Sequence, residues 1–335
     1  MKLCSFSVEG TARLGALDGS GAVVDLNAAT AARLGARGLG AEAAARVADA
    51  LTPTDLVRFA ENGIVAREAA EATLAWTADE EPNVRSGPAW RHQIDHLDFL
   101  PAVPDPPMLR DFLAFEGHLR NIYPRLGREV PPEWYELPVY YKANPASVGA
   151  HGSPVVMPPY ADALDFELEL AALIVPGGSD IPTEDSLGHV YGYTIYNDFS
   201  ARSIQGREMA VGLGPAKGKD FRGAHVLGPW IVTADEVGDP YRLAMRARVN
   251  GESWCETSST GMHWRFEQMI AHASLGEEVR TGEVFGSGTA SGGSGAEQDR
   301  SLHPGDVVEL EIECLGVLRN EVVAPPATKG NEERR

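Results

Sequence analysis

The sequence predicts a β-rich α+β protein, a sandwich or roll that carries a small α/β region at its N-terminus. Three observations lead to this class. Short apolar runs broken by Gly and Pro recur from residue 137 onward: "LPVYYKA", "LDFELELAALIV", "HVYGYTIYND", "GPWIVTADEV", "LAMRARVNGE" and "GDVVELEIECLGVLRNEVV". Only "DFLAFEGHLRNI" and "HWRFEQMIAHAS" read as helices in the main part, too few for a doubly wound sheet with a helix between strands. An alanine-rich helical stretch, about Ala28 to Leu51, is confined to the N-terminal part.

Taken in order, the chain opens with "MKLCSFSVEGTARLGALDGSGAVVDL", strand-like runs punctuated by Glu-Gly and Asp-Gly-Ser-Gly turn signals, and then the helical stretch. Four prolines in "DFLPAVPDPPML", Asp98 to Leu109, predict a stiff linker. The expected division is a small N-terminal domain over 1–105, a main domain over 106–324, and a loose polar tail over 325–335. No internal repeat is visible.

Composition narrows the function classes. The 29 Lys and Arg against 48 Asp and Glu give a formal charge of -19, a field that repels nucleic acid and anionic membranes. A small anionic substrate therefore needs a local cluster of cations or a bound metal. Three cysteines without a C-x-x-C pair argue against a disulfide framework or a cysteine zinc site. With neither a signal peptide's apolar region nor a run of about 18 apolar residues, a cytoplasmic protein without membrane insertion is expected.

The "LDFELELA" run holds two carboxylates inside a strand that otherwise favours burial. Strand alternation puts Glu167 and Glu169 on one face. Either that face is solvated, or a hard divalent cation sits between the acids, because two buried like charges do not both stay ionised without one. Asp198, at the end of "YGYTIYND", and Asp111, in "RDFLAFEGHLRN", are candidates for further ligands; as single residues they also read as a turn residue and a helix cap. His118 follows Asp111 by seven residues, two turns if both lie on one helix, and is a candidate base or an ordinary structural histidine. Arg202, Gln205, Lys217 and Lys219 make the next stretch rich in donors. "GLGPAKGKDF" fits neither a P-loop nor G-x-G-x-x-G, "GSGTASGGSG" holds no nucleophile elbow, and H-E-x-x-H is absent.

Read in order, "DFLAFEGH", "LDFELELA", "YNDFSARSIQ", "LGPAKGKDF", "GSGT" and "GDVVELEIECLGVLRN" resemble the fumarylacetoacetate hydrolase family from roughly Asp111 to Val323. The opening "MKLCSFSVEG" and "GALDGSGAVVDL" look like that family's small N-terminal region. The resemblance implies a mixed β-sandwich roll, a homodimer, and Mg2+ (or Ca2+ or Mn2+) held by Asp111, Glu167, Glu169 and Asp198. It implies His118 paired with Glu311 to activate water, with Glu309 and Glu313 left open as alternatives on the same strand face. Arg202, Gln205 and Lys219 would stabilise an oxyanion, while Tyr141 and Thr289 would hold substrate oxygens. Lys142 resembles a lysine of smaller family members that act on acylpyruvates or oxaloacetate. Arg120, Arg125 and Arg128 are candidates for a substrate carboxylate.

The reaction implied is hydrolysis of a C–C bond in a β-diketo acid, an acylpyruvate or a fumarylacetoacetate-like compound, through a metal-held enolate and an activated water. The alternatives are an oxaloacetate-type decarboxylase, a hydroxymuconate-type isomerase or hydratase on the same site, and a non-catalytic ligand-binding relative. Met209 and Ser203 depart from the fumarylacetoacetate-cleaving pattern, which leaves the substrate open. The expected partner is a small keto acid.

Overall fold

Glu9 and Gly10, both at positive φ, and the Asp18–Gly21 turn fold β1 (Lys2–Val8), β2 (Thr11–Leu17) and β3 (Ala22–Asp25) into an antiparallel meander. The computed structural model containing them describes residues 1–79 and 89–326. Asp25 caps α1 (Leu26–Ala36) by accepting from Ala28 N at 3.0 Å. The helical stretch expected over 28–51 is divided, because Gly38 takes φ +98° and breaks it ahead of α2 (Ala41–Leu51). α3 (Leu56–Glu61) and α4 (Gly63–Asp79) follow, then the short strands β4 (Arg91–Gln93) and β5 (Asp98–Phe99).

The segment expected to separate two domains instead joins them. Ala102 and Val103 are buried, Ala102 N donates to Leu227 O at 3.1 Å, and Ser5 Oγ donates to Ala102 O. Apolar residues between the prolines give this extended chain a face to bury, and its free N–H groups find acceptors.

The remaining elements are β6 (Leu109–Phe112), α5 (Glu116–Ile122), β7 (Tyr140–Ala143), β8 (Val148–Gly149), β9 (Val155–Val156), β10 (Leu168–Ile174) and β11 (Val190–Asp198). They continue with α6 (Arg202–Val211), β12 (His225–Thr233), α7 (Ala234–Val237), β13 (Ala244–Val249), β14 (Glu252–Ser258), α8 (Phe266–Ser274), β15 (Val284–Gly286), β16 (Val307–Ile312) and β17 (Gly316–Val323). One sheet runs β4-β3-β2-β1-β12-β11-β10-β15-β6-β7, with β5 and β8 paired at its side. The N-terminal meander enters this sheet where β1 pairs with β12, Leu3 opposite Ile231, so hydrogen bonding continues across the boundary expected near residue 105. The second sheet is β14-β13-β16-β17-β9.

Two apolar layers account for the continuous hydrophobic run in β10. Leu168, Leu170, Ala172 and Ile174 point into the core shared with Met245, Leu310, Ile312 and Leu318 of the second sheet. Ala171 and Leu173 point the other way, into a layer with Leu3, Leu26, Leu56 and Phe59. A strand covered on both faces is apolar throughout, so Glu169, 0% exposed on the Ala171 side, needs an electrostatic reason to be there. The tail expected from residue 325 lies, from residue 327 on, outside the described residues. Among the described residues no helix is long and apolar enough to cross a membrane.

On the opposite face of β6 from Asp111, the buried Arg110 donates through Nε to Glu283 at 2.8 Å and through an Nη to Glu277 at 2.7 Å. Removing the guanidinium strands a carboxylate that is itself 1% exposed. Arg110→Ala is expected to lower the unfolding free energy by about 3 to 5 kcal/mol in urea melts. Glu277→Ala, at a carboxylate 41% exposed, should cost under about 1 kcal/mol.

Candidate active site

Five adjacent strands, in the order β11-β10-β15-β6-β7, bring the acids together. Registers place Glu169 opposite Tyr196, Ala171 opposite Gly286, Gly286 opposite Asp111, and Asp111 opposite Tyr141, a row crossing the sheet. One ligand atom from each of Asp111, Glu169 and Asp198 lies within 4.8 Å of the others, and all three residues are buried. Gly286 makes the convergence possible: a Cβ there would sit 2.7 Å from Asp111 Oδ1 and 2.9 Å from the Tyr196 ring.

Asp111 lies in a strand, four residues before Phe115, the residue that precedes α5, so it neither caps that helix nor shares a helical face with His118. Register also separates the two neighbours in "YYKA". Tyr141 faces the acids and donates to Asp198 Oδ2 at 2.6 Å. Lys142, opposite Arg110 on the other face, is half-exposed and pairs with Glu277 at 3.3 Å, away from the site.

Partners are distributed unevenly over the carboxylates. Glu169 Oε2 accepts from Gly288 N at 3.1 Å and Asp198 Oδ1 lies 2.9 Å from His225 Nδ1, while Glu169 Oε1 and Asp111 Oδ1 are buried and accept no hydrogen bond. Burial and then the charge of Asp198 push the Asp111 carboxyl well above its usual range; burial and then Asp111 do the same to Glu169. At Asp198 burial pushes up, but Lys219 and His225 outweigh it and hold the carboxyl well down. Three converging buried carboxylates, with oxygens of Asp111 and Glu169 left without a donor, form an all-oxygen set suited to a hard divalent cation such as Mg2+, Ca2+ or Mn2+.

Glu167 is placed differently from the other expected ligands. Its Oε1 receives Arg202 at 2.6 Å and its Oε2 forms an ion pair with Lys219, which also pairs with Asp198. Burial raises this carboxyl, but Arg202 and then Lys219 bring it below the usual value. The three-acid group therefore excludes Glu167, whose charge the chain itself neutralises. Arg202 is also committed to Asp165 through Nε at 2.8 Å and to Gln205 at 3.1 Å. Lys219 is 2% exposed and directed at carboxylates. Thr289 is buried directly after Gly288, the donor to Glu169.

His118 meets a carboxylate, but it is Glu297. His118 Nδ1 lies 2.8 Å from Glu297 Oε1. The other oxygen of Glu297 accepts from Asn121 at 2.6 Å and Gly292 N at 2.8 Å. α5 approaches the 291–297 turn closely because Gly117 has no side chain; a Cβ there would lie 2.3 Å from Ser291 Oγ. The expected partner Glu311 is on the second sheet, bonded to Arg248 at 2.9 Å. In β16 the side chains of Val308, Leu310 and Ile312 fill the core, which turns Glu309 and Glu311 outward toward arginines; Glu313 instead binds Ala244 N. Arg120 pairs with Glu116, and Arg125 donates to Glu297 O at 2.7 Å and pairs with Asp299.

Two participants escaped the sequence reading. Glu297 is the lone carboxylate in the glycine-rich "ASGGSGAEQ", and a signal for it is that isolation. Asp165 shares the alternation of Glu167 and Glu169 in "LDFELELA", an acidic triplet at every second position.

Because Asp111 and Glu169 are raised, the folded chain holds protons there that the unfolded chain has released. In the absence of a cation that stability is complete below the ordinary carboxylate range near 4 and is lost as pH rises through the raised values. Since Mn2+ competes with those protons, its stabilisation relative to EDTA is expected to grow from pH about 5 to pH about 8, reaching a Tm rise of about 4 °C at saturation. A gain that is absent at the higher pH in calorimetry would contradict an ion site here.

The chain is similar to known proteins in sequence and in fold. Residues 108–323 match the family described as fumarylacetoacetate (FAA) hydrolase C-terminal. The mitochondrial oxaloacetate tautomerase fahd2 of Xenopus laevis is 36% identical over 187 residues, 56% of this chain; the match spans only 58% of that relative. The fumarylacetoacetate hydrolase of the psychrophile Exiguobacterium antarcticum superposes with TM-score 0.70 at 25% identity, covering 97% of this chain and 100% of that one. The maleylpyruvate hydrolase of Sphingobium sp. SYK-6, solved with manganese(II) and pyruvate, shares the fold with TM-score 0.71 at 22% identity, over 97% of this chain and 100% of that one. With the family match covering well over half its length, the chain belongs to the fumarylacetoacetate hydrolase family.

Proposed function

We propose that this protein is a divalent-metal-dependent enzyme that moves a proton at the carbon beside the keto group of a small 2-oxo diacid, interconverting keto and enol forms of an oxaloacetate-like compound. One observation carries this choice over the expected C–C hydrolysis. Arg202 and Lys219, the cations a hydrolase would direct at a tetrahedral oxyanion, are both committed to carboxylates. A tautomerisation passes through no such oxyanion and leaves them in place. The relative named as an oxaloacetate tautomerase supports the same reading.

A cation held by Asp111, Glu169 and Asp198 would supply Lewis acidity toward the 2-oxo acid group. The rest falls to the chain. With Glu297 as the acceptor for Nδ1–H of His118, Nε2 is the ring atom left to take the proton from carbon and pass it to the enolate oxygen, the reverse transfers turning enol into keto. Glu297 then stabilises the imidazolium formed in between. The hydrogen bonds from Asn121 and Gly292 keep that carboxylate oriented through both states.

Hydrolysis of an acylpyruvate is the second reading, favoured by the same histidine–carboxylate pair, which is equally able to take a proton from water. The test follows the ultraviolet enol band of oxaloacetate and of acetylpyruvate with Mn2+ or Mg2+ and with EDTA, and identifies products by mass. Loss of the enol band without change of mass supports the tautomerase; two fragments support the hydrolase. In either assay His118→Ala and Glu297→Gln are expected to slow turnover by about 100-fold or more, and Glu311→Gln by less than about 2-fold. Equal effects of Glu297→Gln and Glu311→Gln would contradict the pairing.

A further inference from the structure

Asp165 belongs to neither the three-acid group nor the His118–Glu297 pair, yet it touches the backbone that carries Glu297 and the Arg202 that grips Glu167. Its backbone is fixed by reciprocal bonds to Ser200, Asp165 N to Ser200 O at 2.8 Å and Ser200 N to Asp165 O at 3.0 Å. The side chain is buried, 2% exposed, and its two oxygens reach in different directions. Oδ1 accepts from Phe166 N at 2.9 Å and Gly295 N at 2.8 Å. Oδ2 accepts from Ala296 N at 3.2 Å and Arg202 Nε at 2.8 Å.

Gly295 and Ala296 are the two residues immediately before Glu297, and Arg202 is the residue that grips Glu167. The turn is matched to this carboxylate. A Cβ at Gly295 would lie 2.8 Å from Asp165 Oδ1 and 2.7 Å from Arg300 O. A buried carboxylate with four nitrogen partners is satisfied and rigid, so what it holds is rigid too.

We infer that Asp165 is a positioning residue that sets the proton-transfer pair His118–Glu297, holding Glu297 in place through the 295–296 backbone. The inference rests on the His118–Glu297 reading of the site. Asparagine at 165 keeps the shape and one acceptor, but its amide N–H₂ faces Ala296 N and Arg202 Nε, two donors left without an acceptor. The turn before Glu297 then relaxes while the three-acid group, which Asp165 does not touch, remains.

Asp165→Asn is therefore expected to lower kcat by about 10-fold or more, with KM and the Mn2+ dissociation constant within about 2-fold of the parent. The double variant Asp165→Asn/Glu297→Gln should be no slower than Glu297→Gln alone, because both changes act through one carboxylate. A readout free of substrate is the side-chain nitrogen spectrum of ¹⁵N-histidine-labelled protein, in which the His118 Nδ1 signal of Asp165→Asn should move toward that of Glu297→Gln. Multiplicative losses in the double variant, or an unmoved His118 signal, overturn the inference. If Asp165→Asn does not fold, Gly295→Ala displaces the turn from an intact Asp165, and an unmoved His118 signal there overturns it as well. Should His118→Ala and Glu297→Gln leave turnover unchanged, the proposed function fails, while the nitrogen spectrum still decides the role of Asp165.

Discussion

The structure depends on gathering carboxylates where water does not reach. At an effective dielectric of about 20, two unit charges about 5 Å apart repel by roughly 3 kcal/mol. Three such acids share a space under 4.8 Å across. A hydrogen bond contributes about 1 kcal/mol net, so the donors Gly288 N and Tyr141 do not offset the repulsion alone. Lys219 relieves one side of the cluster at Asp198, and together with Arg202 it neutralises the adjacent Glu167. The other side, Asp111 and Glu169, has only protonation or a cation available to it. Much of the surrounding architecture serves that arrangement: the glycine at 286 gives the acids room, and the doubly covered β10 fixes Glu169.

The N-terminal region contributes to the same end from behind. Its strands extend the sheet through β1 and β12, and residues such as Leu26, Leu56 and Phe59 cover the face from which Glu169 projects. An apolar lining on that side excludes water and keeps the local dielectric low, which strengthens every ionic contact in the cluster. The N-terminal region thus packs on the sheet face that carries the site, although its own residues supply none of the three acids.

The β-rich class, the apolar strands and the acids on alternating positions were legible in the sequence, because strand periodicity and burial act locally. The family resemblance grouped Asp111, Glu167, Glu169 and Asp198, and of these Asp111, Glu169 and Asp198 lie together while Glu167 turns to Arg202 and Lys219. What the sequence concealed depended on register and on turns. Lys142 and Tyr141 are adjacent in sequence and opposite in space; only the pairing of β6 with β7 decides which one meets the acids. Glu311 looked like the partner of His118 in a strand of alternating glutamates, but the core took the other face of that strand. Glu297 sits in a glycine-rich turn, where no periodicity signals direction. The linker reading of the proline segment failed because proline content reports stiffness, while Ala102 and Val103 between the prolines determine packing.

The two kinds of chemistry in the site are built on different foundations. The acids that can hold a cation stand on strands in the middle of a sheet, whereas Glu297, the carboxylate that meets His118, stands on a turn of small residues joined to the sheet by side-chain hydrogen bonds. On the proposed function, substitutions in that turn would alter what happens to a bound substrate without disturbing how its keto-acid end is held. Such a division lets evolution vary the reaction while conserving the anchor, and it offers a structural basis for one fold to serve proteins named as tautomerase and as hydrolase.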